Sequence, residues 1–164
     1  MKRVIIIIFL LINYSLFATS MGPNLPKGDF SIGPGISYLY DSNIEKSGKS
    51  LNLDIAYTYY LFSYSTNFKY INIGNESLFG FQAEISFWLI FNYGLGIGYL
   101  WGNENSITGD FYIGLPFWIL GKKSKKFLGV FHYVYLEPYY KINILQNRNI
   151  HETGILIKIT TANF

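Results

Sequence analysis

Few side chains in this 164-residue chain are equipped for chemistry, and their spacing argues against most of it. There is no cysteine, which excludes a thiolate nucleophile, a disulfide scaffold and a thiolate metal site. Imidazole comes only from His132 and His151. In FHYVYLEPYY, His132 and Glu137 fall at opposite parity on an extended segment unless Pro138 introduces a bulge. The residues after His132 are Tyr133, Val134 and Tyr135, so no nucleophile follows it. His151-Glu152-Thr153 comes after Arg148 and could touch a divalent cation or a phosphate, but one His and one Glu are too few for a metal site. GKKSKK, at 121–126, reads as a solvated turn or as a contact for anionic headgroups. GPGISY and GLGIG look like phosphate loops, yet no helix follows to offer its N-terminus to an anion. Neither catalytic residues nor a metal or cofactor is expected.

The remaining charges of interest are Asp54, Lys69, Glu84, Asp110 and Lys158, and each lies within an alternating segment. SLNLDIAYTYYL is the plainest of these. Leu51, Leu53, Ile55, Tyr57, Tyr59 and Leu61 alternate with Asn52, Asp54, Ala56 and Thr58, the period-two pattern of a strand with one apolar and one polar face. Similar patterns recur in DFSIGPGISYLYD, from about Ser63 to Ile73, and in SLFGFQAEISFWL, YGLGIGYLWG, GDFYIGLPFWIL and ETGILIKITTANF. A further segment, from near Phe127 past Tyr140, has unclear parity, and Pro138 suggests a bulge there. That makes eight strands with no helical periodicity between them. Connections after odd strands are expected to be longer and polar (DSNIEKSGKS is the first), and those near 61–63 and 90–92 to be tight.

Which face points inward decides the fold. Each segment offers four to six large apolar residues on one face, while an eight-stranded barrel is only just wide enough for side chains to fill. Gly, Ser, Asn and a few charges fit such a lumen; dozens of Phe, Tyr, Ile and Leu do not. Only 14% of the chain is charged and 20% is aromatic, against roughly 25% charge in an ordinary soluble domain. Tyr and Trp cluster near segment ends, as interfacial girdles require. The expected fold is therefore all-β, an eight-stranded antiparallel up-and-down transmembrane barrel. Leu53, Ile55, Phe81, Ile85, Ile97, Ile113, Leu115 and Ile157 would face lipid. Asp54, Lys69, Glu84, Asp110 and Lys158 would form a lumen network, with Lys69 and Lys158 bridging the three acids and Glu152 near the outer end. A secreted soluble β-sandwich that buries the apolar faces is the alternative.

The N-terminus, MKRVIIIIFLLINYSLFATS, has a basic start, an apolar run from Val4 to Ile12, and small residues at Ala18 and Ser20. It reads as a secretory signal peptide over 1–20, cut after about residue 18 or 20, because the apolar run is shorter than the roughly 20 residues of a spanning helix. A short periplasmic segment (21–28) and the barrel (29–164) follow. Without Lys2 and Arg3, eleven basic residues face ten acidic ones, a balance that gives no reason to expect a nucleic-acid partner.

On this pattern, over about residues 29–164, the chain resembles the small eight-stranded outer-membrane barrels of the OmpA/OmpX type. Those families tend to end in a C-terminal Phe read by the barrel-assembly machinery, and this chain ends TTANF, although Phe164 is out of step with Ile155, Ile157 and Ile159. The resemblance implies the outer membrane of a diderm bacterium, contact with its lipid and with lipopolysaccharide, a monomer, and a structural or surface-interaction role. Lipid A 3-O-deacylases look similar in size and fold and use Ser, His and Glu on the barrel's exterior. Their His-x-Ser-Asn pattern is missing at His132, so an acyl-hydrolase activity is the lesser expectation.

Overall fold

The computed structural model describes residues 28–88, 91–102, 105–120 and 133–161. The expected signal peptide, GKKSKK, His132 and Phe164 lie outside the described residues. Within them the chain runs as β1 (Asp29–Asp41), β2 (Lys46–Tyr59), β3 (Phe62–Ile73), β4 (Glu76–Trp88), β5 (Asn92–Trp101), β6 (Ser106–Gly114), β7 (Phe117–Leu120), β8 (Tyr133–Leu145) and β9 (Asn149–Thr160). Each strand pairs antiparallel with its neighbour in sequence, except that β6 and β7 both pair with β8. β1 also pairs with β9, which closes the sheet. β6 and β7 are two halves of one stave, so the barrel has eight staves.

Prolines account for the interruption between β6 and β7. Leu115 donates its N–H to the Pro138 carbonyl at 2.9 Å, but Pro138 has no N–H to return the bond. Pro116 follows at once and also lacks a donor. The pairing resumes in the same register, Gly114 with Tyr139 and Phe117 with Leu136. The expected bulge at Pro138 is absent: β8 runs past it in unbroken register with β9, and the irregularity falls in the facing stave between Trp118 and Leu120.

Loop lengths also depart from expectation. The strands continue through most of the polar stretches assigned to loops, leaving four residues (Ser42–Glu45) between β1 and β2 and two (Gly74–Asn75) between β3 and β4. Edge pairing wins there because each added residue completes ladder hydrogen bonds on an already formed hairpin. Gly74 takes φ +59° at the first central position, as a type II′ hairpin requires.

Following paired residues once around the barrel gives its slant. Lys49 pairs with Tyr38, which leads through Thr153, Tyr140, Ile113, Tyr93, Phe87 and Phe62 back to β2 at Tyr59, ten residues further on. With a rise of ~3.3 Å per residue and ~4.8 Å between strands, that stagger tilts the strands by about 40°.

Candidate functional site

The strict alternation of each strand divides the barrel into an outer belt and a lumen. Leu53, Ile55, Phe81, Ile85, Ile97, Ile113, Leu115 and Ile157 all lie on the outer surface. Leu51–Tyr59, Phe79–Phe87 and Tyr93–Trp101 are nine-residue stretches whose outward positions are apolar or aromatic. At 40° of tilt, nine residues span about 20 Å along the axis, comparable with the ~25 Å apolar band of outer-membrane barrels. Among the described residues, no outward position within that belt is charged; Lys49 lies just beyond one edge, level with Tyr38, Thr153 and Asn72. Aromatic rings meet at both rims: Tyr59 with Tyr60 and Phe87 with Phe62 and Tyr93 at one, Tyr70 with Phe79 and Trp101 with Phe81 and Tyr99 at the other.

Inside, Asp54, Lys69, Glu84, Asp110 and Lys158 are all buried. They do not form the expected single bridge, because Lys69 touches none of the three acids. It pairs instead with Glu152 at 2.6 Å. Glu152 is fully buried, and it lies toward the outer end as expected, opposite Leu39 on β1. Its Oε1 accepts hydrogen bonds from Ser37 (3.0 Å), Asn52 (3.1 Å) and Tyr139 (2.6 Å), and its Oε2 from Asn143 (3.0 Å) as well as Lys69. Asn143 Oδ1 in turn accepts from Lys69 (3.1 Å) and Gln82 (2.7 Å).

A second centre holds two of the three acids that Lys69 does not reach. Lys141 pairs closely with Glu84 and lies 4.0 Å from Asp110. In the third, Lys158 sits between Asp54 (2.8 Å) and Glu137 (3.0 Å), as expected for its pairing with Asp54. Glu137 also accepts from Asn92 at 2.8 Å and from Tyr112. Glycines make room for these groups. A methyl group on Gly96 would fall 2.5 Å from Asp110 Oδ2 and 2.6 Å from Glu84 Cγ.

Toward the turns opposite the chain ends, the lumen changes character. Leu39, Ile71, Ile73, Leu78, Leu100, Leu145 and Ile150 form one buried aliphatic cluster. Above it Arg148 spans the mouth, 2.9 Å from Glu76 and 3.5 Å from Asp41. Asp41 also accepts the N–H groups of Asn43 and Ile44 in the first turn, at 2.9 and 3.3 Å. Sequence reading missed this cluster, although extending each inward parity by one or two positions would have found it. Glu137, Lys141 and Asn143 were missed because the parity of their strand was ambiguous.

His151 lies on the outside, where its Nδ1 meets the Tyr140 hydroxyl at 2.6 Å. No set of three His, Asp or Glu side chains among the described residues could hold a metal ion.

The architecture is that of a closed eight-stranded antiparallel barrel with an apolar exterior and a polar, filled interior. It is similar to the crystal structure of Neisserial surface protein A (NspA), with a TM-score of 0.55 at 11% identity, over 80% of this chain and 96% of that one. The KdgM porin in complex with disordered oligogalacturonate is also matched, with a TM-score of 0.31 at 10% identity, over 79% of this chain and 98% of that one. No family model and no curated protein sequence matches the chain.

Proposed function

We propose that this protein is an outer-membrane barrel of a diderm bacterium, non-enzymatic and monomeric, with a structural or surface-interaction role in the envelope. The supporting observation is the uncharged outer belt, about 20 Å tall and rimmed by aromatic rings on both sides. In water that belt would expose Ile97, Leu95 and Ile107, each more than 60% accessible, and contiguous apolar surface of this extent does not persist on a soluble monomer. The soluble-sandwich alternative needs those faces buried against each other, and here they point away from a closed sheet.

The lumen supports a plug rather than a pore. Among the described residues, three ion-paired centres and an aliphatic cluster lie in the lumen, and an eight-stranded barrel is only just wide enough for side chains to fill. Lipid is the main partner. At the mouth opposite the chain ends, Lys49, Tyr38 and Thr153 would meet headgroups or the phosphorylated core of lipopolysaccharide. Assembly into the membrane would proceed through the barrel-assembly machinery. The residues after His132, Tyr133-Val134-Tyr135, offer no serine nucleophile, which disfavours an acyl-hydrolase role.

Fractionation tests the location: the protein should sediment with outer membranes and migrate faster on gels unheated than boiled. Recovery in the soluble fraction with no heat-dependent mobility would overturn the reading. Planar-bilayer recordings test the plug, and a steady conductance of nanosiemens order would overturn it.

A further inference from the structure

The outer belt is not evenly bulky. Across β3 and β4 the paired residues Thr66 and Ala83 place two short side chains on the outside. The next outward pairs on either side are large, Phe68 with Phe81 toward one rim and Tyr64 with Ile85 toward the other. All four of those side chains are exposed, so the short pair lies in a trough between rows that stand proud of it. A groove of about 560 Å³ results, bordered by Thr66 and Ala83 together with Phe30, Tyr57, Ile85 and Ile97. That volume falls within the roughly 300–1,000 Å³ of ordinary small-molecule pockets.

Charge and direction together decide what fits. Glu84 also borders the groove, but its carboxylate is taken by Lys141 inside the lumen, which leaves an uncharged recess in an uncharged belt. The groove runs across the staves: the paired residues Phe30, Tyr57, Tyr64, Ile85 and Leu95 follow it from β1 to β5, about 19 Å at ~4.8 Å per strand. With strands tilted by about 40°, that course stands about 50° from the barrel axis. Two barrels side by side in one membrane touch along a line parallel to their axes, so a second copy cannot follow it. A slender, flexible, uncharged chain can. The groove opens toward the rim nearest the chain ends, at Phe30 and Tyr57, where no outward position among the described residues carries a cation for the phosphates of lipopolysaccharide.

We propose that this groove seats one fatty acyl chain of a membrane phospholipid, held longer than the lipids that merely surround the belt. Shape supplies the preference. A chain lying between the two rows touches side chains beneath and on both flanks, and dispersion attraction grows with the number of such contacts. The inference rests on the membrane reading, which fractionation tests separately.

The full-length protein, folded in dodecyl maltoside, is titrated with a phosphatidylethanolamine that carries a diazirine in its acyl chain. After illumination the adducts are counted by intact mass and located by peptide mass spectrometry. The expected result is labelling that saturates at a single lipid per barrel, with adducts at Thr66, Ala83 or Ile97. Ala83→Phe fills the groove from outside without touching an ion pair and should lose the saturable adduct. Should that variant lack the heat-modifiable gel mobility of a folded barrel, Thr66→Phe takes its place with the same expected loss. Adducts spread evenly around the belt, or unchanged in a folded variant, would overturn the proposal and leave the membrane reading standing. An intact mass of two barrels that Ala83→Phe returns to one would overturn it too, by giving the groove to a second copy. Failure of the unaltered protein to enter membranes would instead remove the membrane reading, and the groove's occupant with it.

Discussion

The two halves of the lumen are lined by the same inward parity of the same strands, yet they are closed by opposite physics. Around Leu39, Ile73, Leu100 and Ile150, seven aliphatic side chains seal one end as a small hydrophobic core. A few residues along those strands, Lys69, Lys141 and Lys158 hold five carboxylates by charge. The contrast teaches that the inside of a narrow barrel need not be uniformly polar. Aliphatic packing tolerates a lost methyl group by partial collapse, whereas an ion-paired centre fails as a unit because removing one partner orphans the others.

The largest effect should therefore come from Lys141→Met, which leaves Glu84 and Asp110 buried without a cation. We expect a loss of about 3–5 kcal/mol, measured by urea unfolding in detergent, and an effect under about 1 kcal/mol would dissolve the distinction between the halves. Leu39→Ala in the aliphatic end should cost about 2–4 kcal/mol while leaving the bilayer electrically silent, because the charged centres still block the axis. The outer belt supplies a reference point: Ile97→Arg, at mid-belt, should cost about 2–4 kcal/mol in phospholipid vesicles, read as a lowered urea midpoint. The smallest change is at a turn. Tyr60 holds φ +55° without being glycine, but its ring packs on Tyr59, so in Tyr60→Gly the relieved strain and the lost ring contact should cancel to within about 1 kcal/mol, seen as an almost unmoved unfolding midpoint.

Much of this was legible in the chain itself, for a physical reason: a period-two pattern fixes the facing of every residue once one is fixed. Asp54, Lys69, Glu84, Asp110 and Lys158 could be placed on one face without coordinates. Their partners could not, because partnership depends on the stagger that brings distant strands level, and no local pattern encodes a ten-residue slip around the barrel. Lys69 thus meets Glu152, 83 residues away. Pro138 obscured the parity of Glu137 and Lys141 by looking like a strand breaker, although its missing donor matters only toward the β6–β7 stave. The polar stretches after β1 and β3 looked like loops because composition alone does not reveal how far a ladder continues.

The meeting of β1 with β9 places the seam of the cylinder between the first and last staves. Glu152 and Lys158 both ride on the last of these, so a sheet lacking it would leave Lys69 and Asp54 without their ionic partners. Closure of the cylinder is thereby coupled to completeness, because β9 supplies the ionic partners of Lys69 and Asp54. Truncated or stalled chains should remain open and exposed to envelope proteases.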